Sequence, residues 1–152
     1  MVRGGRVAKT IGRPAEVEGT RERVVRLCGQ LPETEVEQAG TQHLAFKVNK
    51  KILGYYLNDH HGDGKVAVWC KAPPGEQSRL VEEDPGVYFV PAYVGPKGWL
   101  GIRLDTSQVD WARVKEHLLV AWFLTAPASL RKQVQPHESM GPAARRRRRT
   151  RG

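Results

Sequence analysis

Apolar residues recur along this chain at two periods, and each change of period marks an element. Between Glu16 and Leu31, Val17, Val24, Leu27, Cys28 and Leu31 fall at helical spacings while Arg21, Glu22, Arg23 and Arg26 take other faces. That pattern predicts an amphipathic helix stopped by Gly29 and Pro32. Strand character follows over residues 35–38, 43–48 and 52–58, with a tight turn at residues 49–51. The segment DHHGDG at residues 59–64 reads as a second turn, after which Val66, Val68 and Cys70 alternate with Ala67 and Trp69.

Pro73, Pro74 and Gly75 break this meander, and residues 76–84 read as a short helix with Leu80 and Val81 inward, stopped by Pro85 and Gly86. Residues 87–93 and 99–105 predict another strand pair around Gly95, Pro96, Lys97 and Gly98. Ser107 with Asp110 resembles a capping box, and Trp111, Val114, Leu118 and Trp122 repeat at helical spacing toward a break at Pro127 and an end near Val134. The expected class is α+β, with helices packed on one antiparallel sheet.

The chain has 152 residues, 39% of them apolar, which is one domain's worth and enough to bury a core without metals or disulfides. Residues 14–134 carry the folding pattern, residues 1–13 read as a flexible segment, and residues 135–152 read as a disordered Arg-rich tail. The longest apolar run, residues 118–124, is far short of the roughly 18 residues that span a bilayer. Basic residues at the start precede no apolar stretch, so a cytoplasmic location is expected. Cys28 and Cys70 lack CxxC spacing and read as small buried hydrophobes, with a disulfide the less favoured alternative.

The net charge of +9 changes this picture through its distribution. Residues 1–20 carry +2, residues 21–134 only +2, and residues 135–152 carry +5. Contacts from Arg145, Arg146, Arg147, Arg148, Arg149 and Arg151 to phosphates would give a salt slope of about −5, without sequence preference. A solubilising tail with no dedicated target fits the same residues equally well.

Candidate chemistry is sparse. His60 and His61, with Asp59 and Asp63, are metal-ligand types, but adjacent histidines in a turn do not easily share an ion, and no metal site is expected. No GxSxG, GxxxxGK[ST] or GxGxxG occurs, so neither a nucleophile elbow nor a nucleotide loop is expected, and no cofactor. Lys97, flanked by Gly95, Pro96 and Gly98, reads as a cation on a projecting hairpin tip. Trp99 follows it and reads either as core or as a contact for a base or sugar; alternation puts Arg103 on the same face.

The succession YYLNDHHGDGKVAVWCKAPPGEQSRLVEEDPGVYFVPAYVGPKGWLGIRLD, then VDW and a later AP, resembles the YjbR, or MmcQ, family of small bacterial proteins over about residues 20–134. The segments KAPPG, PAYVGPKGW and RLD carry most of the resemblance. It implies a CyaY-like α+β domain whose hairpins serve as the wings of a double-wing DNA-binding arrangement, with candidate wing tips at residues 95–98 and 59–65. The related frataxin branch uses an acidic ridge for iron; here only Glu76, Glu82, Glu83 and Asp84 could contribute, and the mixed first helix departs from that pattern.

The expectation is therefore a non-enzymatic DNA-binding protein. Lys65, Lys71, Lys97, Trp99 and Arg103 would lie near the backbone, and the tail arginines would add sequence-independent affinity. The alternative is a protein- or small-ligand-binding module with an incidental tail.

Overall fold

A computed structural model describes residues 19–134. The first helix, α1, occupies residues 19–29. Six strands follow: β1 (Thr34–Ala39), β2 (His43–Val48), β3 (Lys51–Asn58), β4 (Val66–Cys70), β5 (Tyr88–Phe89) and β6 (Leu100–Arg103). Helix α2 (Glu76–Glu83) lies between β4 and β5, and α3 (Trp111–Thr125) and α4 (Ala128–Arg131) close the chain. The strands form one antiparallel sheet in the order β1-β2-β3-β4-β6-β5. The α+β class read from the periodicity is the architecture observed.

Local chemistry accounts for the meander. Asn49 and Lys50 both have positive φ, 53° and 66°, as the two central residues of a type I′ hairpin turn require. A register shift between Phe46 and Lys47 leaves Leu53 outside the β2–β3 pairing, and Leu53 is fully buried in the main core. At the outer edge, Lys47 pairs with Glu37 of β1 at 2.9 Å, and charge on an edge strand discourages pairing with other chains.

One face of the sheet holds the main core. Val24 and Cys28 of α1 and Val114, Leu118, Ala121 and Trp122 of α3 pack there against strand residues such as Phe46, Tyr56 and Val68. The indole of Trp122 donates to the carbonyl of Pro32 at 3.0 Å, tying α3 to the connection that leaves α1.

Two boundaries differ from the sequence reading. Helix α3 is capped by Asp110, which accepts from the Arg113 amide at 3.2 Å, while Ser107 lies three residues upstream in a bend. The predicted strands 87–93 and 99–105 shrink to the two residues of β5 and the four of β6, because the chain between them folds back onto the sheet.

Candidate functional site

Alternation along β4 sends Val66, Val68 and Cys70 into the main core and Ala67 and Trp69 to the opposite face, where Lys71 follows. Register carries that face across the sheet, with Trp69 opposite both Tyr55 and Gly101, and Gly101 opposite Phe89. Leu57, Ala67, Trp69 and Trp99 are buried there with Ile52, Tyr55, Phe89 and Val94 around them, and no described helix contributes. Gly101 is required by close approach: a Cβ would stand 2.6 Å from carbons of the Phe89 ring that crosses it.

Trp99 and Arg103 share this face, as alternation predicts, but differ in access. Trp99 is 9% exposed and its ring stacks on Tyr55 at 5.9 Å. It sits beneath the surface, so its position matches the core reading rather than that of a base contact.

The expected hairpin tip at residues 95–98 does not project. Gly95–Lys97 is a 3-10 turn laid back against the sheet, with Gly95 buried against Val90 and Val94 packed into the second cluster. Gln77 of α2 clamps it, donating from Nε2 to the Gly95 carbonyl at 2.9 Å and the Trp99 carbonyl at 2.6 Å. Lys97 remains exposed on this seated loop.

The same loop presents Tyr93 at 72% and Val90 at 55% exposure. Tyr93 has φ 64°, a left-handed conformation that costs a bulky residue about 1–3 kcal/mol and clusters at functional sites. His60 and His61 meet its ring edge-on, each with centroids 6.0 Å away. His60 in turn stands against Trp69 at 5.0 Å. Burial, then the charges of His61 and His43, hold the pKa of His60 below the usual histidine value.

The predicted cations divide between two ends of the face. At the end where β3 begins and β4 finishes, Lys71 feels Lys51 and Lys97. Burial first, then those two charges, lowers its pKa. None of the ion pairs among the described residues involves these three lysines. Lys51 was not among the residues singled out from the sequence, and its separation from Lys71 and Lys97 along the chain hides the cluster.

At the other end Lys65 stands over the Phe89 ring at 5.2 Å. Arg103 grips Asp105 with two hydrogen bonds of 2.9 and 3.0 Å, and that bonding raises its pKa, with Asp63 adding in the same direction. Its charge is already matched.

The histidine turn has its carboxylates engaged. Asp59 accepts from the Gly64 amide at 2.7 Å and Asp63 from the Lys65 amide at 2.9 Å, which closes the loop around a 3-10 turn at His60–Gly62. Among the described residues no group of three or more His, Cys, Asp or Glu is arranged to hold a metal ion. On α2, Glu76 and Glu83 pair with Arg79 at 2.6 and 3.1 Å, leaving no open acidic ridge on that helix face.

Cys28 and Cys70 are free, buried thiols whose pKa burial pushes up to about 12, so packing describes them. A cavity of about 810 Å³ opens where the start of α1 meets the loop before α3, lined by Thr20, Arg23, Asp105, Ser107 and Trp111 among others. The tail arginines Arg145, Arg146, Arg147, Arg148, Arg149 and Arg151, and the N-terminal segment 1–13, lie outside the described residues. No described helix is long and apolar enough to cross a membrane.

Comparison with known proteins agrees with this architecture. The YjbR family model matches residues 29–124. The crystal structure of Deinococcus radiodurans protein DR2400, which carries a DUF419 domain, superposes with a TM-score of 0.58 at 19% identity, over 72% of this chain and 83% of that one. At that identity the likeness speaks to fold. No curated protein matches the chain.

Proposed function

The chain belongs to the YjbR family, and from that premise we propose that it is a non-enzymatic protein that binds the phosphate backbone of nucleic acid along the loop-covered side of its sheet, with Lys51 reaching in from the sheet end where β3 begins. The observation that carries this reading is the position of Lys71, whose amide bonds to the Leu53 carbonyl at 3.1 Å two residues from Lys51, with Lys97 near enough to disfavour its charge and none of the three in an ion pair among the described residues. Like charges held together and partly desolvated favour an anion between them. From Lys71 to Lys65 along β4 is about 20 Å at the usual rise per strand residue, so cations at both ends suit a polymeric anion better than a small one. Arg103, neutralised by Asp105, contributes little in this reading, and Trp99 supports the loop from below. The tail arginines add phosphate contacts without sequence preference.

The test is a salt titration of DNA binding by the intact chain, by a chain lacking residues 135–152, and by a triple variant Lys51→Gln, Lys71→Gln, Lys97→Gln. The triple variant should flatten the log–log slope by about 3 units on duplex DNA. No binding by the intact chain at low salt would overturn the proposal.

A protein-binding role has one observation of its own, the exposure of both Val90 and Tyr93 on the same loop. A protein ligand held equally well by the triple variant, with no DNA affinity in either form, would favour it.

A further inference from the structure

We infer, resting on the phosphate-binding reading above, that the ligand is a single strand, with one base stacked on Tyr93 and its neighbouring phosphates drawn toward Lys97, Lys71 and Lys51. Every other aromatic of the second cluster is at least half-buried: Trp69 and Trp99 lie at 5% and 9% exposure, and Tyr55 and Phe89 are partly covered. Tyr93 alone of this face's aromatics stands out, at 72%. An exposed aromatic held in a left-handed backbone is presented by the loop, since a relaxed chain would turn it elsewhere.

The ring is also braced. His60 and His61 meet it at 6.0 Å, His60 rests on Trp69, and the loop behind it is pinned by Gln77 and by the Val94 carbonyl, which accepts from the Lys97 amide at 3.1 Å and the Trp99 amide at 3.3 Å. A platform that does not need ordering loses little entropy when a base lands on it. Lys97 lies four residues along the same loop and is exposed like Tyr93.

That pairing of a stacking ring with a lysine cluster is what sequence-tolerant binding of single strands requires. In an intact duplex each base face is covered by its neighbours, and a lone surface tyrosine has nothing to stack on. Val90 of the same loop is exposed as well, at 55%.

The experiment compares fluorescently labelled oligothymidylate with a duplex of equal length, at low salt, on the full chain and on Tyr93→Ala and Tyr93→Phe. The native chain should bind the single strand more tightly than the duplex. Tyr93→Ala should weaken single-strand binding about 5- to 100-fold and leave duplex binding unchanged, while Tyr93→Phe should keep native affinity. Tail contacts are common to all three chains and cancel in the comparison. Equal affinity of native chain and Tyr93→Ala for the single strand, or tighter duplex binding by the native chain, would overturn the single-strand inference and leave phosphate binding standing. Absence of binding to either oligonucleotide by the native chain would overturn both. Tyr93→Gly serves as the control for folding: relief of the left-handed strain should leave its melting temperature at or above native, and a lower one would remove the argument that the loop holds this ring against its preference.

Discussion

On one face of the sheet Phe46 and Tyr56 disappear beneath helices that bury Trp122 against them; on the other, Trp69 and Trp99 are covered by a loop of about ten residues and a histidine turn. Both faces bury aromatic side chains, but the covers differ in kind. Helices α1 and α3 bring their own apolar rows, α2 adds Leu80, and together they cover the main core. The loop sends Val94 into the cluster beside Phe89 of β5 and buries Pro91 and Gly95, while its outer side is left to Val90, Tyr93 and Lys97. A face sealed by helices stabilises the fold, whereas a face roofed by a thin loop leaves chemistry at the surface.

The largest effect that would break this contrast is expected in the helix-covered core. Trp122→Ala removes a fully buried indole and its hydrogen bond to Pro32, and should cost about 3–5 kcal/mol in a denaturant titration. A loss no larger than that seen on the loop-covered face would mean that the two faces share the load.

His117 sharpens the same comparison through pH. Its Nε2 lies 2.8 Å from the Tyr88 hydroxyl between α3 and the sheet, with Arg113, Glu76, Arg79 and Asp110 nearby. Burial, then the charge of Arg113, lowers its pKa to about 4 in the folded chain, against 6.5 ordinarily. The unfolded chain therefore takes up the proton first. Stability is full above pH 6.5 and is lost as pH falls toward 4, by about 2–3 kcal/mol. Unfolding free energies measured across that window should fall for the native chain and stay flatter for His117→Gln.

Gly101→Ala probes the thin cover. The added Cβ pushes Phe89 off β6, and the expected cost is about 1–3 kcal/mol, with greater solvent access at Trp69 and Trp99 read by fluorescence quenching. Smallest in stability is the lysine triple variant, expected within about 0.5 kcal/mol of native. If it unfolds the protein, the lysines are part of the fold and the functional contrast between the faces fails.

Much of the fold was legible because its signals are local. The spacing of Trp111, Val114, Leu118 and Trp122 predicts α3, and alternation over β4 separates Trp69 from Val68. Alternation also puts Trp99 with Arg103. The cap of α3 was misplaced by three residues because Ser107 and Asp110 both suit such a position, and only the path of the chain after Leu104 chooses between them. The tip at residues 95–98 was misread for a similar reason: glycine and proline announce a turn, but its direction depends on Gln77, Val90 and the open face of the sheet.

By itself, then, the sequence determined the elements, the α+β class, the near balance of charge in residues 21–134 and the family. Periodicity and turn chemistry act over a few residues, and charge can be counted anywhere along the chain. Only the tertiary structure decided that Lys51 joins Lys71 and Lys97, that Arg103 is matched by Asp105 and Asp63, and that Tyr93 rather than Trp99 meets the solvent. The lysine cluster and the roof over Trp99 depend on sheet register and on how a loop seats against a distant strand. Both are set by long-range packing, which no short window of residues contains.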